Sequence, residues 1–212
     1  MNFDPNYLIF ALIAYLLGSI STAIITCKLM GLEDPRSVGS NNPGATNVLR
    51  TGGKKAAAIT LLGDMLKGLL PVLVVQQLLQ ADTLAVAITG IAAFLGHIFP
   101  LYYGFRGGKG VATFFGVLLG TNWIIGLSVL AIWGIMAKTL KISALSALVS
   151  ASASPFIVWY VDGSQTLIIA TSFMAVLLII KHHSNIRRLL QGTEGQISSI
   201  KTGSNESDAK SE

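Results

Sequence analysis

The chain has 212 residues, of which 52% are hydrophobic and only 12% charged, with a mean hydropathy of +0.65. Soluble domains carry roughly 25% charged residues, so a soluble globular class is excluded and a polytopic membrane protein folded as one unit is expected. The net charge of +5 is no nucleic-acid signal until its cations are placed along the chain, and the single Cys27 excludes a disulfide framework or a cysteine metal site.

Apolar stretches fall at about 7–30, 56–79, 83–103, 111–137, 142–161 and 164–181. Each but one approximates the ~20 residues that cross a bilayer. The first lacks a basic leader and a cleavage site, and reads as a retained helix. A polar loop of about 25 residues follows, a length that is usually functional or disordered. In the second stretch Asp64 and Lys67 stand three residues apart on one helix face. Ionisable residues at that depth face the bundle interior and pair, so a structural intramembrane salt bridge is expected, with a proton path as the alternative. The third stretch ends in "FLGHIFP", where His97 is either packed or catalytic. The stretch 111–137 is too long for one span and is interrupted by "GTNW" at 120–123. From 195 onward the chain is rich in Ser, Gly, Asn and charges, the composition of a disordered tail. The expected division is one membrane-embedded domain over 1–194 and a polar cytoplasmic tail over 195–212.

Loops that stay in the cytoplasm collect Lys and Arg. Lys28, Arg36, Arg50, Lys54 and Lys55 mark one such loop, Arg106 and Lys109 a second, Lys138 and Lys141 a third, and Lys181, Arg187 and Arg188 the last. The turns at Asp82, Thr121–Asn122 and Asp162 carry none. The stretch 111–137 must therefore go out and come back, turning at Gly120–Asn122. The expected fold is an all-α membrane bundle of about seven transmembrane or half-membrane helices, N-terminus outside and C-terminus inside. Its arm 111–120 is only ~15 Å long as a helix and is expected as a half-helix buried in protein or sitting in thinned membrane. A single tilted span is the competing reading, and it would put the basic tail outside.

Three polar clusters then share one membrane face. The first is the loop "DPRSVGSNNPGATNVLRTGGKK" (34–55), whose Ser, Thr, Asn and Arg suit hydrogen bonding to an oxyanion. The second is "FRGGKGVATFFG" (105–116): its glycines let backbone N–H groups converge as an anion nest, Lys109 adds a charge, and a helix begins at Val111. It is no Walker A loop, which needs four residues between its glycines and Ser or Thr after the lysine. The third is "KHHSNIRRLLQGTE" (181–194), where His182 and Asn185 share a helix face. No nucleophilic triad is visible, and His97, His182, His183 and Glu194 are too scattered to suggest a metal. Each cluster also has a plain reading, as solvated loop, basic hairpin or positive membrane anchor.

Taken together, "GSNNPGATNVLR" (39–50), "GGKGVAT" (107–113) and "KHHSNIRRL" (181–189) resemble the three signature motifs of the bacterial acyl-phosphate:glycerol-3-phosphate acyltransferases. "GSIS" (18–21), "GDMLKG" (63–68) and "GHIFP" (96–100) are similar to that family too, and the resemblance spans roughly residues 8–194. Asn41 stands where the family usually has Gly; Asn tolerates the left-handed backbone region better than most residues. The resemblance implies an inner-membrane enzyme with its site facing the cytoplasm. It would move a fatty acyl group from acyl phosphate to the first hydroxyl of glycerol 3-phosphate, giving 1-acyl-glycerol 3-phosphate (lysophosphatidate) and phosphate, the first acylation of phospholipid synthesis. No cofactor, metal or nucleic acid is implied; membrane lipid is, and a monomer is expected. Whether an enzyme that makes the acyl phosphate docks transiently on the tail is left open.

Two phosphate-bearing substrates need two adjacent anion cradles. Ser40, Thr46, Asn47 and Arg50 suit one, and Gly107, Gly108, Lys109, Gly110 and Thr113 the other, with Ser143 a further position that the resemblance implies. Lys109, His182 and Asn185 are the candidate catalytic residues. Either His182 takes the hydroxyl proton or a substrate phosphate does. A transporter of phosphate or an organophosphate is the rival function, although the motifs cluster on one face rather than at the midplane.

Overall fold

The computed structural model describes residues 4–197, which form helices and connecting loops with no strand among them. Nine α-helices follow in order: α1 Asn6–Gly18, α2 Thr22–Leu29, α3 Ala45–Leu73, α4 Thr83–Ile98, α5 Val111–Thr121, α6 Trp123–Leu140, α7 Ser143–Val161, α8 Gln165–Lys181 and α9 His183–Leu190. Short polar side chains set where several begin. Ser21 Oγ accepts from the Ile24 amide, Asp82 Oδ1 from Ala85, Asn122 Oδ1 from Ile124, and Ser164 Oγ from Leu167, each satisfying an N-terminal amide that the helix leaves open.

Among the described residues, five segments are long and apolar enough to cross a membrane, Asn6–Leu29 among them with its break at Ser19–Ser21, and a sixth is reached if α8 and α9, bent by 60°, count as one span. The outward surface is apolar, as lipid requires: Leu8, Leu12, Trp123, Ile135, Phe156 and Trp159 are all more than half exposed. The chain is a multi-pass membrane protein.

The short α5 sits inside the bundle. Thr113–Leu118 and Gly120 are buried, and Phe114 and Phe115 join Phe94, Ile98, Leu178 and Met174 in the main core. The break at Asn122 falls where "GTNW" interrupts the apolar stretch. Eleven residues reach only ~16 Å, and the helix end is closed by protein: Gln76 Nε2 donates to the Thr121 carbonyl at 3.0 Å. Backbone contact with α3 is what seats it. A Cβ on Gly116 would lie 2.0 Å from the Met65 carbonyl oxygen. Gly116→Val is expected to destabilise the fold by ~1–3 kcal/mol, the usual cost of overpacking, read as a lower melting temperature in detergent.

One expectation needs correction. The polar segment after α2 is not loop throughout, because Ala45–Gly52 is the first arm of α3, separated from the long arm by a break at Gly53 (φ 85°). The true loop ends at Gly44, whose extended backbone opens the helix. Polar residues hide this arm from any apolar periodicity, since one of its faces borders a polar cavity. Asn41 does take a left-handed conformation, φ 55°.

Candidate active site

A cavity of about 270 Å³ opens between α3, α5, α6, α7 and α9. Its lining includes Ser40, Thr46, Asn47, Arg50, Lys109, Gly110, Ser143, His182, Asn185, Arg188 and Glu194. Apolar side chains line it as well: Leu61, Met65, Phe115, Leu130, Trp133 and Ala147. The three motifs, far apart in sequence, thus meet at one place. Asp64 and His97 also reach the lining.

The first motif contributes through the short arm of α3. Thr46 and Arg50 are one helical turn apart and so share a face. The Thr46 and Ser143 hydroxyls are 3.0 Å apart, joining this motif to the start of α7. Asn47 lines the cavity and also braces the loop before it. It is 2% exposed; its Nδ2 donates to the Pro35 and Val38 carbonyls, and its Oδ1 accepts from the Ser40 amide at 2.8 Å. Those bonds shape the loop that presents Ser40 and leave the amide little capacity for a ligand.

The glycine loop and the third motif are joined directly. Lys109 Nζ donates to Asn185 Oδ1 at 2.5 Å, Asn185 Nδ2 donates to Glu194 Oε1 at 2.8 Å, and Arg188 Nε donates to Glu194 Oε2 at 2.7 Å. Burial, with Arg188 and Arg50 nearby, pushes the Lys109 ammonium down to about 8, because a low-dielectric pocket and like charges both disfavour a cation. His182 is 3% exposed. Its Nδ1 lies 2.8 Å from the Leu178 carbonyl, an acceptor only, so Nδ1 carries the proton and Nε2 the lone pair. Burial pushes this imidazole down to about 4. Thr113, expected in the cradle, is fully buried and instead donates to the Asp64 carbonyl at 2.8 Å.

Glu194 and Arg188 were not among the expected site residues. A carboxylate in an anion site runs against simple charge matching, and Arg188 reads in sequence as a membrane anchor. The segment after Glu194 also bonds across the site. Arg50 Nη2 donates to the Gly195 and Gln196 carbonyls at 2.8 and 3.0 Å, and the Ile197 amide donates to the Lys141 carbonyl at 2.8 Å. The first residues of the expected tail are therefore tied down by hydrogen bonds; the rest of it, from 198, lies outside the described residues.

In the membrane interior, Lys67 Nζ is 2.8 Å from Asp64 Oδ1 and donates to the Ile20 carbonyl at 2.7 Å. His97 Nδ1 is 3.8 Å from the same carboxylate oxygen. The pair expected from the three-residue spacing is present.

Cationic, hydroxyl-bearing and apolar side chains thus share one cavity inside a multi-pass helical membrane protein. Comparison with known proteins narrows the class. The family model "Glycerol-3-phosphate acyltransferase" matches residues 8–192. Relatives of that name include one from Thioalkalivibrio sulfidiphilus, 55% identical over 87% of this chain and 90% of its own. Another, from Methylococcus capsulatus, is 52% identical over 87% and 92%. Crystal structures of PlsY, an integral membrane glycerol 3-phosphate acyltransferase, superpose with TM-scores of 0.84 for the glycerol 3-phosphate form and 0.83 for the lysophosphatidic acid form. They are 34% and 33% identical and cover 90% of this chain and 95% of theirs. The chain belongs to the glycerol-3-phosphate acyltransferase family and is an integral membrane acyltransferase.

Proposed function

We propose that this enzyme takes its acyl group from an acyl phosphate and transfers it to the first hydroxyl of glycerol 3-phosphate, releasing 1-acyl-glycerol 3-phosphate and inorganic phosphate. The observation that carries the reading is the cavity, where Lys109, Arg50 and Arg188 share one lining with Ser40, Thr46 and Ser143 and with apolar side chains. Both proposed substrates carry phosphate and one carries a fatty chain. The apolar lining residues Met65, Leu130 and Trp133 suit that chain, and the cations of the same lining suit two phosphates held side by side. PlsY has been crystallised in glycerol 3-phosphate and lysophosphatidic acid forms, which fits an acceptor and a product of this kind.

In this mechanism the acceptor hydroxyl oxygen attacks the acyl carbonyl carbon, and the carbon–oxygen bond to phosphate breaks. An acyl phosphate is a mixed anhydride with a good leaving group, so the main demand is for positive charge where the oxyanion and departing phosphate develop. Lys109 supplies it at the glycine loop and Arg50 at the short arm of α3. Binding both substrates adds proximity. Asn185 fixes Lys109, and Glu194 fixes Asn185 and Arg188. The hydroxyl proton passes to a substrate phosphate oxygen, with His182 orienting the hydroxyl through Nε2. We read residues 1–194 as one catalytic unit, acting as a monomer. The Lys and Arg bias of the loops at the site supports a cytoplasmic-facing site, which we read as lying in a bacterial inner membrane.

The test is phosphate release by the purified protein. Inorganic phosphate is expected only when acyl phosphate and glycerol 3-phosphate are both present, in step with 1-acyl-glycerol 3-phosphate. Vesicle uptake of either phosphate compound without bond cleavage would favour a transporter and overturn the proposal.

A further inference from the structure

The glycine loop lies flat on the last turn of α4. The Gly108 amide donates to the His97 carbonyl at 3.2 Å. A Cβ on Gly107 would come 2.0 Å from that carbonyl oxygen, and a Cβ on Gly108 would come 2.3 Å from His97 Nε2 and 3.0 Å from its Cε1. These glycines are thus needed for approach to one residue as well as for their freedom to turn. His97 is 7% exposed and lines the cavity, yet its Nδ1 has no hydrogen-bond partner. That nitrogen faces Asp64 Oδ1, which is ion-paired to Lys67. The Asp64 carbonyl in turn receives the Thr113 hydroxyl. Both ends of the 107–113 segment therefore rest on one buried ionic cluster, the first on His97 and the last on Asp64.

We propose that His97 is a positioning residue for the reaction: its imidazole is the platform that sets the height and direction of the Gly107–Lys109 backbone, so that the phosphate cradle exists before substrate arrives. The inference rests on the reading of the glycine loop as a phosphate cradle. The carboxylate of Asp64 favours the tautomer with its proton on Nδ1, and the ring then turns its Nε2 lone pair towards the loop. Lys67, tied to the Ile20 carbonyl at the break between α1 and α2, holds that carboxylate in place. A functional loop is only as well placed as the side chains that support it, and misplacement by about 1 Å can cost on the order of a hundredfold.

The geometry makes a compensation test available. The full-length protein would be assayed with acyl phosphate and glycerol 3-phosphate as wild type, His97→Ala, Gly108→Ala and the double variant. Each single substitution is expected to raise the KM for the same one of the two substrates by about tenfold or more, with kcat changed far less. In the double variant the added methyl no longer meets an imidazole. Gly108→Ala should then cost less than about threefold on top of His97→Ala, a non-additivity expected only of groups in contact. His97→Gln, which keeps a flat polar group at that height, should recover most of the lost affinity; it also serves if the alanine variant does not fold. Multiplicative costs in the double variant, or a His97→Gln enzyme no better than His97→Ala, would overturn the positioning role. If Gly108→Ala alone leaves both KM values unchanged, the cradle reading itself fails and the inference with it.

Discussion

Lys109→Ala is expected to lower kcat/KM about a thousandfold, at the upper end of what one preorganised donor contributes to a transition state. The size follows from the site's construction. Lys109 is half-buried, is fixed by Asn185 at 2.5 Å, and belongs to the glycine loop at the cavity wall. No other ammonium lines the cavity among the described residues; its remaining cations are Arg50 and Arg188, both already bonded to the segment around Glu194. The same residue should set a pH limb. With the ammonium held down to about 8, the charge is present below that pH and lost above it. A lysine lowered in this way gives a kcat/KM that is level between the phosphate ionisation near 6 and about pH 8, and then falls towards tenfold per pH unit, since kcat/KM reports the free enzyme. A bound phosphate dianion favours the charged form, so the limb in kcat should lie higher. Lys109→Arg keeps its charge across the range and should lose the limb while remaining less active than wild type. A wild-type limb that persists unchanged in Lys109→Arg would assign it to another group.

How much of this could be read from sequence depended on what each residue has to signal. The half-helix α5 was visible because an apolar run of the wrong length was cut by "GTNW", and a polar break inside lipid has few other meanings. Asp64 and Lys67 were visible because buried charge in a membrane demands a partner, and three residues is a helical spacing. The short arm of α3 was not visible. Its Thr46, Asn47 and Arg50 face a polar cavity or the loop, so the apolar periodicity that reveals other helices is absent. Asn47 and Thr113 illustrate a second limit: their types suit phosphate binding, but only coordinates show that their bonds go to the Pro35, Val38 and Asp64 carbonyls. Glu194 illustrates a third. Its role is to hold Asn185 and Arg188, and a residue that works through another residue leaves little trace in composition or spacing. His97 falls between these cases: its place in "GHIFP" was noticed, while its contact with Gly108 needed the fold.

The second large effect expected is at His182, and it separates two accounts of the proton. If His182 were the essential base, its loss would remove the only imidazole lining the site other than His97. The geometry argues for a different role. Nδ1 is committed to the Leu178 carbonyl, and burial pushes the imidazole down to about 4, so Nε2 at neutral pH is a hydrogen-bond acceptor of low basicity. A general base works best with a pKa near the operating pH, and the second ionisation of a phosphate monoester, near 6, lies closer. His182→Ala is therefore expected to lose about a hundredfold in kcat through poor orientation of the hydroxyl. His182→Gln, whose carbonyl oxygen can accept the same hydrogen bond, should return to within about tenfold of wild type. The pH profile of the glutamine variant should keep an acidic limb near the phosphate ionisation, because the group that titrates is on the substrate. A glutamine variant as inactive as the alanine one, or a limb that disappears with the imidazole, would restore His182 as the base. Replacing glycerol 3-phosphate by its phosphonate analogue, whose second ionisation differs, adds an independent reading: the limb should move with the substrate in wild type and in His182→Gln alike, which no enzyme-borne base would produce.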